Sequence, residues 1–363
     1  MPDRRTLWIW PPSAGTGDSR QRRGPVAVVL TWLWVLFGFA PSADAQPTRF
    51  EFSRPQMGSR FGIVLYAENE ATARQAAEAA FARVEELNGI LSDYDPQSEL
   101  RRLCDQPAGT AVAVSDDLLA VLTRGQRLSA QSDGAFDVTV GPVVRLWRRA
   151  RRQQALPDAD LLAEARARVG HRLVRVDSRQ QTVTLAKDAM RLDLGGIAKG
   201  YAVDAALEVL RARKIAIALV DGGGDIAVSG APPDRDGWRL AIAPLDADRA
   251  VSQFLTLSDG AVATSGDAFQ FVEIGGKRYS HIVDPRTGIG LSIHSSVTIV
   301  AADCTTADAL ATTVSVLGPE AGLKLVDETP GAAGFVVQQV ADRVSTHASR
   351  RWSELKLERP GQD

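Results

Sequence analysis

Asp308 and Thr312 are four residues apart in a segment with helical character, so a helix would place both side chains on one face. A carboxylate oxygen and a hydroxyl oxygen suit a hard cation such as Mg²⁺, which prefers oxygen ligands and keeps waters or phosphates in its other positions. The same pair can also be a capping aspartate and a packed threonine. The spacing by itself leaves both interpretations open.

A glycine-rich junction between a strand-like run and a helix forms a second segment. Asp193 lies near the end of the run, Gly195 and Gly196 follow, and a helix begins near Gly200. Glycines at such a junction let a ligand approach the backbone, and a helix start offers N–H groups to phosphate oxygens. Lys199 would neutralise a phosphate or be a solvated helix residue, and packing alone explains many turns of this kind.

A third segment contains His281, one of only four histidines, and Asp284 at the start of a proline turn. An imidazole that titrates near neutral pH suits proton transfer or a phosphate contact. A structural histidine beside a turn is the alternative, with Asp284 closing the turn through its backbone contacts.

Two loops at helix boundaries, residues 92–99 and 134–142, form the fourth segment. Tyr94 could stack on a flat ring such as a flavin or an adenine, and Phe136 and Asp137 could close over that ring. Taken alone, both loops are typical of surface turns.

The elements that must position these residues alternate between helical and extended patterns. Hydrophobic spacing predicts helices over 71–91, 116–132, 142–147, 158–169, 202–213, 305–317 and 319–326, the second of them capped by Ser115. It predicts strands over 61–66, 172–177, 182–186, 191–194, 215–220 and 334–338, and mainly strands from 238 to 300. Because no regular βαβ rhythm appears, the predicted fold class is α+β. The polar tail after Arg350 is expected to be peripheral.

Composition limits the class of protein. The chain has 363 residues, of which 45% are hydrophobic and 24% charged, with a formal net charge of −2. These values exclude a disordered chain, a collagen-like repeat and a polytopic membrane protein. The mildly acidic balance gives no reason to expect a nucleic-acid partner. Two cysteines, Cys104 and Cys304, leave a disulfide open but predict neither a disulfide scaffold nor a zinc site.

The first 45 residues indicate a secretory signal peptide. Three arginines precede the apolar run 26–40, and Ala43 and Ala45 predict cleavage before Gln46. The run is shorter than the ~20 residues that cross a bilayer comfortably, although an uncleaved N-terminal anchor stays open. The mature protein is therefore expected to be exported to the bacterial periplasm, with the inner-membrane surface as an open location.

Taken together, the segments resemble one family. The motifs occur in the order SDYDPQSEL, GAFDVTVGP, LDLGGIAKGYAVD, DGGGDIAVSG, ATSGD, YSHIVDPRTG and TTADALATTVSVLG. This order is similar to that of the ApbE family of FAD:protein FMN transferases, from about Met57 to about Gly334. The resemblance implies a mixed α+β fold, with antiparallel sheet regions and packed helices around a central flavin-binding cleft. It also implies a catalytic domain over 46–350 and a polar tail over 351–363.

The resemblance implies an activity and a set of site residues. Such enzymes use FAD as substrate and Mg²⁺ as cofactor, attach FMN through its phosphate to a Thr or Ser hydroxyl of an acceptor protein, and release AMP. The implied FAD contacts are Met57, Tyr94, Ala135, Phe136, Asp137, Asp193, Lys199 and Ile282. The implied metal ligands are Asp308, Thr312 and a backbone carbonyl near Gly196. His281 corresponds to the histidine at the reacting phosphate, with Asp284 expected to orient it, while residues 222–225 and 264–267 are expected to line the cleft.

Two other functions remain open at this point. A Mg²⁺-dependent FAD pyrophosphatase would use the same cradle with water as nucleophile, and an exported flavin-storage protein would bind FAD without turnover. The sequence does not name the acceptor, which the resemblance suggests is a subunit of an electron-transfer complex or an exported flavoprotein.

Overall fold

The computed structural model describes residues 46–246, 251, 253–267 and 270–359, so the segment interpreted as a signal peptide lies outside the described residues. In this part of the chain the helices are α1 (Glu70–Leu91), α2 (Glu99–Cys104), α3 (Asp116–Gln131), α4 (Gly141–Gln153), α5 (Ala159–Arg166), α6 (Ala198–Ala212), α7 (Cys304–Leu317) and α8 (Pro319–Glu328). The strands are β1 (Thr48–Gln56), β2 (Ser59–Ala67), β3 (Val112–Ala113), β4 (Val174–Asp177), β5 (Thr182–Leu185), β6 (Ala218–Asp221), β7 (Asp225–Ser229), β8 (Trp238–Ala241), β9 (Phe254–Leu257), β10 (Gly260–Gly266), β11 (Phe271–Ile274), β12 (Lys277–Ser280), β13 (Val283–Asp284), β14 (Ile289–Gly290), β15 (His294–Ala301), β16 (Ala333–Val340), β17 (Arg343–Ala348) and β18 (Leu357–Glu358).

An eight-stranded antiparallel sheet forms the centre of the molecule, in the order β1-β2-β6-β7-β10-β15-β16-β17. Helix α6 packs against both α1 and α7, and the three helices cover one face. The three-stranded sheet β18-β9-β8 covers the other face. This arrangement of helices on an antiparallel sheet confirms the predicted α+β class.

Strand β2 shows how the sequence divides itself between the two faces. Phe61, Ile63 and Leu65 belong to the core under the helices, whereas Val64 belongs to the core under the small sheet. Successive side chains of a strand point to opposite faces, so a run of apolar residues fills both cores at once. The continuous apolar pattern of this strand therefore indicates that both of its faces are buried.

Several predicted elements are present with shifted ends. The Ser115 hydroxyl caps α3 by accepting a hydrogen bond from the Leu118 N–H, as predicted. Helix α4 extends six residues beyond the predicted end at Trp147, and α6 begins at Ala198 rather than at Ala202. The earlier start of α6 has a consequence for the site, because it brings Lys199 and Gly200 into the first helical turn.

Two expectations about the elements are wrong, and one edge strand was not predicted. Residues 191–194 form an extended segment without sheet pairing: the Leu192 N–H donates to Cys104 Sγ, and the Asp193 N–H donates to the carbonyl of Val138. Strand β1 was not predicted; it is a largely exposed edge strand in which only Phe50 and Phe52 alternate and pack against the main core. The C-terminal tail is not merely peripheral, because Trp352 is buried against Phe335 and β18 pairs with β9.

Across the part of the chain that the structure describes, no helix combines the length and the apolar character needed to cross a membrane.

Candidate active site

The first turns of α6 meet one face of α7, and this contact builds the centre of the candidate site. Asp308 is buried, and its carboxylate accepts a hydrogen bond of 3.0 Å from the Gly200 N–H. One turn later Thr312 Oγ1 lies 3.3 Å from Ser265 Oγ of β10. Gly196 lies against the same threonine, since a Cβ atom built on it would be 2.9 Å from Thr312 Oγ1. The structure therefore brings together the three residues that were predicted to hold a metal.

The buried carboxylates at this point outnumber the ammonium groups. Lys199 Nζ forms an ion pair with Asp225 Oδ2, and both lie close enough to Asp308 to influence it. Burial and the neighbouring Asp225 carboxylate raise the pKa of Asp308 to about 7, against the opposing effect of Lys199. Burial would lower the pKa of Lys199, but Asp225 and Asp308 raise it above its ordinary value. Two carboxylates thus share one ammonium group, which leaves the site favourable to a further cation.

Around these residues, as far as the structure describes the chain, no three His, Cys, Asp or Glu side chains cluster in a way that could hold a metal ion. The oxygen donors that converge are one carboxylate and one hydroxyl, beside the Gly196 backbone. Such a set leaves several positions of an octahedral ion to water or phosphate oxygens.

The glycine loop between β6 and β7 joins this centre to the hairpin of β1 and β2. Asp221 Oδ1 accepts hydrogen bonds of 2.8 Å from the N–H groups of both Gly223 and Gly224. Gly223 has a φ of 85°, which favours glycine, and a Cβ atom on it would also lie 1.9 Å from Ser59 Oγ of the hairpin. Met57 occupies the two-residue tip of the hairpin with a φ of 48°, beside a surface cavity of about 550 Å³. Met57 therefore lies two residues before Ser59, the hairpin residue that approaches this loop.

Tyr94 and Asp193, both predicted FAD contacts, lie together at a second point. Tyr94 is 76% exposed, while the Asp193 side chain is buried and accepts a hydrogen bond of 2.9 Å from the Gly195 N–H. Burial, with the neighbouring Asp93, raises the pKa of Asp193. Between them lies Arg148 of α4, which donates to Asp193 Oδ2 at 2.8 Å and stacks over the Tyr94 ring.

Sequence reasoning missed Arg148. The residue stands in the arginine-rich segment RLWRRARR, where nothing in the local pattern separates it from its solvated neighbours. Only its contacts across the fold single it out.

Ala135, Phe136 and Asp137, which are also expected FAD contacts, are all buried. Phe136 belongs to the main core. Asp137 Oδ1 accepts hydrogen bonds from the N–H of Thr139 at 2.8 Å and from its hydroxyl at 2.7 Å. These side chains are therefore held within the packed interior. The Asp193 N–H bond to the Val138 carbonyl connects this run to the rest of the site.

His281 follows β12 and is held by the backbone of Gln270. Its Nδ1 lies 3.1 Å from the Gln270 carbonyl oxygen, to which the His281 N–H also donates at 3.0 Å. Burial, opposed by the Gln270 contact and reinforced by the positive charges of Arg151 and Lys199, lowers the pKa of His281 to about 4. With Nδ1 as the donor to that carbonyl, Nε2 carries the lone pair. The side chain is a neutral imidazole at physiological pH.

Asp284 does not orient His281. Its carboxylate accepts two hydrogen bonds from the Arg286 guanidinium, at 2.9 Å and 3.0 Å, and one from the Arg286 N–H. These contacts therefore do not support the expectation that Asp284 orients His281, because its side chain is bound within the turn. Ile282 behaves differently, because its carbonyl accepts from the Leu291 N–H and fixes the loop beside His281.

Comparison with known proteins gives a consistent result. Residues 57–336 match the model of the ApbE family. The chain is 34% identical over 307 residues to an FAD:protein FMN transferase of Vibrio cholerae, covering 83% of this chain and 90% of that protein. It is 35% identical over 305 residues to one from Treponema pallidum, covering 79% and 84%.

Solved structures agree with the sequence relatives. The chain is similar to the flavin transferase ApbE from Vibrio cholerae with a TM-score of 0.78 and 31% identity, covering 85% of this chain and all of that one. It is similar to the apo form of the Pseudomonas stutzeri flavinyl transferase ApbE with a TM-score of 0.76 and 32% identity, covering 85% and 97%.

Proposed function

This chain belongs to the ApbE family and is a transferase, and from that premise we propose that it moves the FMN part of FAD onto a protein. In the proposed reaction, a Thr or Ser hydroxyl oxygen of the acceptor attacks the FMN-side phosphorus of FAD. The bond from that phosphorus to the bridging oxygen breaks, and AMP leaves. A phosphoester then joins FMN to the acceptor.

The observation that carries the proposal is the contact between α6 and α7. Asp308, Thr312 and the Gly196 backbone converge there, with the Lys199 ammonium and the first N–H groups of α6 nearby. A pyrophosphate is a doubly charged group that needs cations around it. This end of α6 and α7 supplies the Lys199 ammonium and oxygen donors that suit a metal ion.

The residues present fit Mg²⁺. One carboxylate, one hydroxyl and a backbone carbonyl provide only oxygen donors, and the excess of carboxylates over ammonium groups favours a cation. Asp308 and Thr312 would hold the ion, with the carbonyl near Gly196. When bound, Mg²⁺ would supply charge neutralisation on the pyrophosphate and on the departing AMP.

His281 is the candidate to take the proton of the incoming hydroxyl or to contact the reacting phosphate. Its ring is neutral, and the Gln270 carbonyl fixes the proton on Nδ1, so Nε2 is free to accept the hydroxyl proton. Lys199 stays protonated and contributes charge near the phosphates. Tyr94 and Asp193 would bind one end of FAD, because they combine an exposed aromatic face with a hydrogen-bond acceptor.

The proposed activity is tested with purified protein, FAD, Mg²⁺ and a candidate acceptor fragment. We expect the acceptor to become fluorescent in a denaturing gel, with one AMP released for each flavin attached. The matched control is the same fragment with its acceptor Thr or Ser replaced by Ala, which should stay dark. Release of free FMN and AMP without labelling would instead identify a pyrophosphatase, and intact FAD after long incubation would identify a binding protein.

We also propose that the protein acts in the periplasm on an exported flavoprotein or on a subunit of an electron-transfer complex. The arginines and the apolar run 26–40 support export. N-terminal sequencing of protein recovered from the periplasmic fraction should begin at Gln46. Recovery of the full chain from the cytoplasm would contradict this location.

A further inference from the structure

Arg148 is the side chain that links the two residues expected to bind one end of FAD. Its Nη2 donates to Asp193 Oδ2 at 2.8 Å, and its Nη1 pairs with Asp93 Oδ2. Its Cζ atom lies 4.2 Å from the centroid of the Tyr94 ring. A residue of α4 thus contacts two separate loops, one before α2 and one before α6.

The two faces of the Tyr94 ring have different surroundings. The guanidinium covers one face, and such a cation over an aromatic ring is attractive. The tyrosine is nevertheless 76% exposed, so the opposite face is open to solvent. A flat ring of a ligand can stack on that open face, while the guanidinium prevents the tyrosine from rotating away.

The charge of Arg148 is already met within the protein. Asp93 and Asp193 each pair with one guanidinium nitrogen, so Arg148 does not present an unpaired cation to a phosphate. Removing Arg148 would leave the carboxylates of Asp93 and Asp193 without the cation between them, and their like charges would repel. The arginine therefore keeps both loops in one arrangement.

We propose that Arg148 is a positioning residue for FAD, holding Tyr94 and Asp193 in the arrangement that receives one flat ring of the dinucleotide. The identity of the ligand rests on the proposed function, whereas the positioning role rests on the contacts themselves. The ring is either the isoalloxazine or the adenine, which share the stacking chemistry.

The test compares Arg148→Gln with Arg149→Gln, its neighbour on α4, whose guanidinium bonds only to Gln153 of the same helix among the described residues. FAD is titrated into each protein without acceptor, and binding is followed by flavin fluorescence. We expect FAD to bind Arg148→Gln about tenfold more weakly or worse, since a stacked cation and a charge-assisted hydrogen bond are both lost. Arg149→Gln should match the wild type. Separate titrations with FMN and ADP identify the ring by which of them loses affinity.

Two further measurements separate positioning from a purely structural role. If Arg148 positions FAD, the kcat of Arg148→Gln at saturating FAD should stay within about threefold of the wild type, because the groups at the phosphates are untouched. In the Tyr94→Leu background the further loss on adding Arg148→Gln should be under about twofold, since coupled residues are not additive. If Arg148→Gln does not fold, Arg148→Lys replaces it. The lysine keeps the charge without the planar fork, so it should fold and still bind FAD weakly.

Equal FAD affinity in Arg148→Gln and Arg149→Gln, or additive losses with Tyr94→Leu, would overturn the inference. Because binding is measured without transfer, its outcome is independent of the proposed function. A wild-type protein that binds FAD but labels no acceptor would refute the proposed transfer and leave the role of Arg148 standing.

Discussion

Gly200 donates its backbone N–H to the carboxylate of Asp308 over 3.0 Å, across 108 residues of sequence. This bond fixes the first turn of α6 against the face of α7 that carries the expected metal ligands. The approach depends on the missing side chain, because a Cβ atom on Gly200 would lie 2.3 Å from the Cys304 carbonyl oxygen. The close packing of α6 against α7 therefore fixes the position of the Asp308 carboxylate.

Gly200→Ala should therefore destabilise the protein, since the new methyl group meets backbone rather than a movable side chain. We expect a loss of about 1–3 kcal/mol in the free energy of unfolding, with a weaker apparent affinity for Mg²⁺ in the transfer assay. Gly89→Ala in α1 is the control, because its Cβ would meet nothing within 4 Å. That variant should be neutral or more stable by about 0.5–1 kcal/mol. Equal behaviour of the two variants in denaturant unfolding would contradict this account of the helix contact.

Asp308→Asn should separate chemistry from folding. Removing the carboxylate should lower Mg²⁺-dependent turnover about 100-fold or more, because charge neutralisation at a phosphate contributes several kcal/mol to the reaction. The fold should not lose stability, since burial makes the charged form of Asp308 unfavourable and raises its pKa to about 7. Turnover is measured against Mg²⁺ concentration, and the thermal midpoint is measured in chelator. A variant with full turnover would remove Asp308 from the metal site.

His281 gives a pH dependence that differs from that of an ordinary histidine. With its pKa lowered to about 4, the imidazole remains neutral throughout the physiological range. At saturating Mg²⁺, the transfer rate of the wild type should therefore not fall near pH 6.5 because of His281. The pH profiles of the wild type and His281→Ala should have the same shape in this range. The rate of His281→Ala should be lower by about 10²–10⁴-fold at all pH values where the wild type is active. An acidic limb with a midpoint near 6.5 that is absent from the variant would contradict the buried neutral ring.

The same lowered pKa affects stability. The folded protein binds the His281 proton less tightly than the unfolded chain does. The contribution of the neutral imidazole to the free energy of unfolding is therefore complete above pH 6.5 and is lost as the pH falls toward 4. His281→Asn should therefore flatten the fall in the free energy of unfolding between pH 6.5 and 4. His347→Asn, on the edge strand β17, is the control. The two variants should differ in urea titrations across this range.

Trp352 should be essential for stability although it lies beyond the family match. Its ring is 5% exposed and stacks on Phe335 with a centroid separation of 5.1 Å. Trp352→Ala should cost about 3–5 kcal/mol, as for large buried aromatic residues elsewhere. Val344→Ala, whose side chain is exposed, should change the free energy of unfolding little. Chemical denaturation of both variants makes the comparison.

Cys104 and Cys304 should be unreactive thiols in the native protein. Both are buried and unpaired, and burial raises the pKa of each. A thiol reagent should label neither before unfolding and both afterwards, without prior reduction. Absence of free thiols in the unfolded, unreduced protein would show a disulfide instead.

The sequence by itself determined the fold class, most of the helices and the residues that meet where α6 contacts α7. Asp308 and Thr312 are one helical turn apart, so α7 alone sets their relation. Local patterns likewise indicated the start of α3 at Ser115 and the glycine junction before α6, because caps and glycines act over a few residues.

The tertiary structure decided which polar groups meet. It buried Phe136 in the core and placed Arg148 between Tyr94 and Asp193. Neither outcome has a local signal, whereas the bond of Asp284 to Arg286 is a turn contact between residues two apart. A side chain's partner across the fold depends on how helices and sheet pack, and that packing is set by many distant apolar contacts rather than by its neighbours in the chain.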